Sequence, residues 1–206
     1  MALQPFQFDN LWVALALWAL LYCGDYYLTL RGASLMAHYG KTYFDMGGSY
    51  ELNPLFQNDI DRLRRVSPRF ILILIGAGVW LVLMWGVTQY LHIPQAFAAG
   101  AGVLLLMEVP VLTSHVRNLA LFTALRTPGA VEGHIAYSRW VSLRMTSWNF
   151  ALWGVLYALF FALTGSWLFF GGIVSMFLLF NRFVRMSMYS RRKLQTPQNQ
   201  VQESEV

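Results

Sequence analysis

The chain has 206 residues, of which 57% are hydrophobic and only 12% charged, and its mean hydropathy is +0.46. Soluble domains average about 25% charged, so the composition excludes an ordinary soluble domain and fits a single polytopic membrane domain. The net charge of +5 would fit a nucleic-acid partner, but the placement of the basic residues explains it without one.

Met1 to Asp9 lacks Lys and Arg and has no evident cleavage site, so the first apolar run is expected to remain in place rather than act as a secretory signal. About 20 apolar residues cross a bilayer core, and the first span is expected over 10–30. Helical spacing puts Trp18, Tyr22, Asp25 and Thr29 on one face. The single cysteine, Cys23, lies in this apolar run, which precludes an intrachain disulfide. A polar stretch, 31–69, follows. Asn53-Pro54 reads as an N-cap with Pro at the first helical position. Phe56, Ile60 and Leu63 then recur beside Arg62, Arg64 and Arg65. The pattern predicts an interfacial amphipathic helix over 54–66, ended by Ser67-Pro68.

The second span is expected over 70–91, with Gly76 and Gly78 available for close helix packing. A short link, 92–94, leads to the third span over 95–117. The fourth is expected over 146–163, preceded by helical pattern from Gly133, and the fifth over 167–186. The tail, 191–206, is polar without periodicity and is expected to be disordered. The fold class is therefore all-α, a bundle of about five transmembrane helices.

Charge sets the expected orientation. With the amino terminus outside and the carboxyl terminus cytoplasmic, all 15 Lys and Arg fall on the cytoplasmic side, and the outer links 92–94 and 164–166 carry none. The expected location is a cytoplasmic (inner) membrane, multi-pass.

The third span holds the most unusual residues: Glu108, Pro110, His115, Arg117 and Asn118. Ionisable groups at membrane depth are expensive and tend to be functional. At about 1.5 Å per residue, Glu108 lies roughly 18 Å from the outer surface of the apolar core, just past the middle. Asp25 lies roughly 7–8 Å from the inner end of its span. Glu108, His115 and Asn118 share a helix face, whereas Arg117 points away, free to snorkel to headgroups. Pro110 removes a hydrogen bond to the Leu106 carbonyl. It either opens that carbonyl to a ligand or makes only a packing bend. In the fourth span, His134, Ser138, Ser142 and Asn149 form a polar stripe, although Ser138, Ser142 and Thr146 also read as a packing seam.

The expected pocket therefore comprises Asp25, Thr29, Glu51, Asn53, Glu108, His115, His134 and Asn149. Arg117, Arg139, Arg144, Arg182 and Arg185 form a basic rim for anionic groups or headgroups, or serve only to orient the chain. Such a pocket can bind a metal, relay a proton, work as acid and base on a lipid headgroup, or contain only a salt bridge from Asp25 or Glu108 to Arg117 or Arg144. No HExxH, Walker A, GxGxxG or GxSxG motif is present. No cofactor or metal can be named.

Asp25-Tyr26-Tyr27-Leu28-Thr29 and Glu51-Leu52-Asn53-Pro54 together resemble a group of small prokaryotic integral-membrane proteins. In that group an Asp-and-Thr pair ends the first helix, and a loop follows with Glu-x-Asn-Pro. The resemblance covers residues 20–56. It implies that Asp25, Thr29, Glu51, Asn53 and Pro54 belong to one site or one clasp, and it brings no activity with it. Three functions fit the residues: a small carrier or channel-like protein for an ion or solute; a subunit or assembly factor of a larger membrane complex; and an enzyme acting on a lipid or isoprenoid phosphate. Expected partners are membrane lipids and either a second copy or a larger complex.

Overall fold

The computed structural model describes residues 8–45, 50–127, 129–130, 132–136 and 138–203, with side chains as far as Leu194. It is an all-α fold. In chain order come α1 (Leu11–Leu35) with a π-helical turn (Met36–Gly40), strand β1 (Phe44–Asp45), α2 (Gln57–Asp61), α3 (Pro68–Leu91), α4 (Pro94–Ala124), β2 (Ile135–Ala136), α5 (Arg139–Thr164) and α6 (Trp167–Glu203). Among the described residues five helices are long and apolar enough to cross a membrane.

Local chemistry fixes their ends. Asn10 caps α1 by accepting from the Val13 N–H. Ser67 accepts from the N–H groups of Arg69 and Phe70, with Pro68 at the first position of α3. Ser67-Pro68 therefore starts the second span as well as closing the loop before it. His92 (φ 57°) and Gly165 (φ 64°) end α3 and α5 in the left-handed conformation.

The loop before α3 departs from expectation. The helix over 54–66 shrinks to α2, five residues long. Asn53 does not cap it: its side chain accepts from the Leu55 N–H and its carbonyl from the Phe56 N–H, which makes a separate turn. The helix stops because Asp59 turns inward. It is buried, accepts from Ser67 Oγ at 2.6 Å, and pairs with Arg64 at 3.3 Å. Leu63, with φ 51°, closes α2, as the Arg64 N–H returns to the Asp59 carbonyl. The Tyr26 hydroxyl donates to the Arg64 carbonyl at 2.7 Å and so ties this loop to α1.

Helix α4 touches each of the other four long helices and is the most buried of the five. Its two sides pack differently. Against α6 the backbones nearly touch: a Cβ on Gly102 would collide with the Leu168 carbonyl, and one on Gly171 with the Ala99 carbonyl. Gly76 and Gly78 do not have that role. Gly76 has nothing within 4 Å of a built Cβ, and Gly78 meets only Leu15 at 3.7 Å. Both lie on α3, the least buried span.

The ends of α5 and α6 depart from expectation in opposite directions. Helix α5 begins at Arg139, later than the helical pattern from Gly133 predicts. Helix α6 continues to Glu203, through most of the tail expected to be disordered. A helix already nucleated by packing propagates at little cost through good helix formers such as Arg191, Arg192, Lys193 and Leu194.

Candidate functional site

The site lies in the seam between α1 and α4. A Cβ on Gly24 would stand 3.5 Å from the Leu112 side chain, which marks the register of the two helices. That register puts Asp25 level with the turn between Glu108 and His115. Asp25 Oδ1 is 3.0 Å from His115 Nε2. Thr29 Oγ1 is also 3.0 Å from that nitrogen, and its hydroxyl donates back to the Asp25 carbonyl at 2.8 Å. With its hydrogen committed there, Thr29 offers only lone pairs to the ring. Nε2 therefore carries a hydrogen, which it gives to Thr29, while the nearby Asp25 Oδ1 is buried without a hydrogen-bond partner. His115 Nδ1 is buried and has no partner.

One helical level towards the other end sits Glu108, 3% exposed, with its Oε2 unpartnered. It is an electrostatic neighbour of Asp25, and the Tyr22 hydroxyl, buried without a hydrogen-bond partner, lies in the electrostatic reach of both. Behind Tyr22 an aromatic stack closes the α1–α3 side. Trp18 and Tyr22 have centroids 4.8 Å apart, Tyr22 and Phe70 5.2 Å, and Phe70 and Tyr26 4.4 Å. The Trp18 indole N–H donates to the Leu74 carbonyl at 3.0 Å. These rings exclude water from one side of the carboxyls without offering them a charge.

The loop roofs the site at the basic end. Glu51 accepts the Asn53 N–H at 2.6 Å and is an electrostatic neighbour of His115 and Asp25. Burial holds the Glu51 carboxyl above the usual carboxylate range, while the Asn53 N–H pulls the other way. Tyr50 lies over Gly32, where a Cβ would meet its hydroxyl at 2.5 Å. Burial pushes that hydroxyl up to about 12, against the pull of Asn118. On the other side of Tyr50 opens a cleft of about 640 Å³, lined in part by Lys41, Asp45, Asp61, Leu63 and His134.

The expected pocket residues thus divide. Asp25, Thr29, Glu51, Glu108 and His115 come together. Asn53 stands one step out, receiving Arg182 at 3.0 Å. Asn149 is on the far side of α4, donating to Ser114 Oγ at 3.3 Å. His134 is not on a helix. It is exposed in the loop between α4 and α5, where it lines the cleft, because α5 starts five residues later. Among the described residues no hydrogen bond or ion pair joins it to Asp25, Glu108 or His115, and no three His, Cys, Asp or Glu are placed to hold a metal ion.

The carbonyl that Pro110 frees is occupied. The Tyr157 hydroxyl of α5 donates to the Leu106 carbonyl at 2.9 Å, so this bend serves packing. Arg139 and Arg144, like Arg182, have partners. Arg139 donates to the Leu52 carbonyl at 3.4 Å, and Arg144 lies over the Trp148 ring. Arg117 and Arg185 are exposed. Among the described residues no arginine pairs with Asp25 or Glu108. Sequence reading missed Tyr22 and Tyr157 as polar groups, since a tyrosine in an apolar helix reads as filler, and it also passed over Tyr50 in the loop. It also missed Asp59, whose partners Ser67 and Arg69 lie eight and ten residues on.

No protein family matches the chain, and neither does any curated protein or solved structure.

Proposed function

We propose that the protein is a small carrier for an ion or small solute, with its polar pocket facing the cytoplasm. The observation that carries this is the α1–α4 seam: a buried carboxyl, Glu108, with an unpartnered oxygen, beside a second carboxyl, Asp25, and a single imidazole. Two carboxylates against one imidazole leave the low-dielectric seam short of positive charge. Such an arrangement is tolerable when a cation or proton enters and leaves. The cleft next to Tyr50 is the way in from the basic end. By the positive-inside rule that end is cytoplasmic, the amino terminus is outside, and the membrane is the inner one. The α2 segment then lies at the cytoplasmic interface, and Arg117 and Arg185 meet lipid headgroups. The clasp of Asp25, Thr29, Glu51 and Asn53 is what membership in the Asp-x3-Thr, Glu-x-Asn-Pro group would entail.

The reading as an enzyme on a lipid phosphate has less support, since it relies on His115 and His134 acting together. The reading as a subunit of a larger complex draws only on the apolar outer face of α3, which lipid covers equally well.

The test is flux into proteoliposomes, with protons, sodium, potassium and ethanolamine as probes. Protein-dependent movement of one probe, abolished by Asp25→Asn in a variant that still folds, supports the proposal. Movement of none, or movement unaffected by Asp25→Asn, overturns it.

A further inference from the structure

The α5–α6 hairpin carries charge of a single sign. Between Glu132 and Glu203 there is no Asp or Glu, while six Arg and one Lys lie there, from Arg139 to Lys193. Two of these arginines converge. Arg139, from the start of α5, donates to the Leu52 carbonyl at 3.4 Å, and Arg182, from α6, donates to Asn53 Oδ1 at 3.0 Å. Guanidiniums from two helices thus meet on adjacent residues of one turn, where both acceptors are neutral. Each bond uses one of the five N–H groups of its guanidinium. Among the described residues no ion pair joins either arginine to a carboxylate. The carboxyl next in the chain, Glu51, accepts the Asn53 N–H at 2.6 Å. Like charges brought together without a counter-ion disfavour this arrangement. An anion between them relieves it.

Depth and surroundings select the anion. Counted from Trp167 at about 1.5 Å per residue, Arg182 lies roughly 22 Å along α6, against a hydrocarbon core of ~30 Å. Its long stem carries the guanidinium to the edge of that core, where lipid phosphates lie. The Ser187 hydroxyl donates to the Trp140 carbonyl at 2.8 Å, which holds the start of α5 at the same end. Leu178, four residues before Arg182, shares its helix face and is exposed. An apolar strip therefore leads to the arginine from within the membrane, and an acyl chain covers it where a small soluble anion does not. Arg144 and Arg191 lie over the Trp148 and Trp140 rings at 5.6 and 5.5 Å, as suits the membrane interface. A planar guanidinium fork matches two phosphate oxygens at a time. We propose that Arg139 and Arg182 clamp the phosphate of an anionic lipid in the leaflet at the basic end, and that the clamp keeps the Leu52–Asn53 turn in place over the α1–α4 seam. Such a clamp forms whether or not the seam carries a solute.

The experiment titrates the full chain in detergent with short-chain phosphatidylglycerol, phosphatidylcholine or inorganic phosphate, and reads binding by calorimetry. The wild type is expected to prefer phosphatidylglycerol, because phosphatidylcholine holds a fixed cation beside the same phosphate. Arg139→Gln/Arg182→Gln is expected to lose about 30-fold in affinity for phosphatidylglycerol, about fivefold per arginine. Arg62→Gln/Arg65→Gln removes the same charge from exposed positions before α3 and is expected to change little. Hydrogen exchange across 51–58 is expected to slow on adding phosphatidylglycerol to the wild type, but not to the Arg139/Arg182 double variant. Equal losses in the two double variants overturn the clamp, as does equal affinity for the two lipids. Inorganic phosphate that binds as tightly as phosphatidylglycerol assigns the arginines to a free anion and overturns the lipid. Unchanged exchange in the wild type overturns the hold on the turn. Should the Arg139/Arg182 double variant not fold, Arg182→Lys, which keeps the charge and loses the fork, decides in its place. Weaker binding is then expected, and unchanged affinity overturns the clamp.

Discussion

Helix α4 has two faces that solve opposite problems. Towards α6 it presents Gly102, and α6 answers with Gly171. The backbones meet so closely that neither position has room for a Cβ. Towards α1 it presents Glu108 and His115, which meet Asp25 and Thr29. The first face gains dispersion contacts where the two backbones meet. The second leaves Glu108 Oε2 and His115 Nδ1 buried and unpartnered, which disfavours the folded state. A bundle selected only for stability would resemble the first face throughout. The contrast teaches that α4 is anchored on one side and held ready for chemistry on the other.

The contrast can be broken most severely at the anchored face. Gly171→Leu forces a side chain into the Ala99 carbonyl. It is expected to cost more than about 3 kcal/mol, read as loss of the thermal unfolding transition in detergent. On the polar face, His115→Ala leaves Asp25 without its partner. A buried pair loses about 3–5 kcal/mol when one member goes, but Asp25 is partly exposed here, so about 1–2 kcal/mol is expected. Tyr157→Phe reopens the Leu106 carbonyl that Pro110 frees and should cost about 1 kcal/mol. A larger loss would mean that the bend itself depends on this bond.

Two smaller effects sharpen the picture at the roof. Burial raises the Glu51 carboxyl in the folded chain, so the folded state holds a proton that the unfolded state has already released. Its contribution to stability is present at low pH and is lost as pH rises through the raised value. Glu51→Gln should flatten that part of the stability-versus-pH curve, and an unchanged curve would mean that Glu51 is as well hydrated folded as unfolded. Arg182→Ala removes an exposed contact to Asn53 and should cost no more than about 0.5 kcal/mol.

Much of this was legible in the sequence. Apolar length located five long helices, and carboxyls in apolar runs pointed to Asp25 and Glu108. His115 followed from its seven-residue spacing from Glu108, and the Glu-x-Asn-Pro loop pointed to Glu51. The rest depended on information that helical period does not carry. His134 seemed to share the stripe of Asn149 only if α5 began before Arg139. Gly102 and Gly171 could not be distinguished from Gly76 and Gly78 by type, since which glycine meets another backbone depends on how helices cross. The Tyr157–Leu106 bond links residues 51 apart, and no local pattern announces it.

The most direct measurement pairs stability with transport in a single variant, Glu108→Gln. If the polar face is kept for passage, removing its charge should leave the unfolding temperature unchanged or higher, while flux of the transported probe in liposomes disappears. A Glu108→Gln protein that melts earlier yet still transports would make Glu108 a structural group and contradict the account.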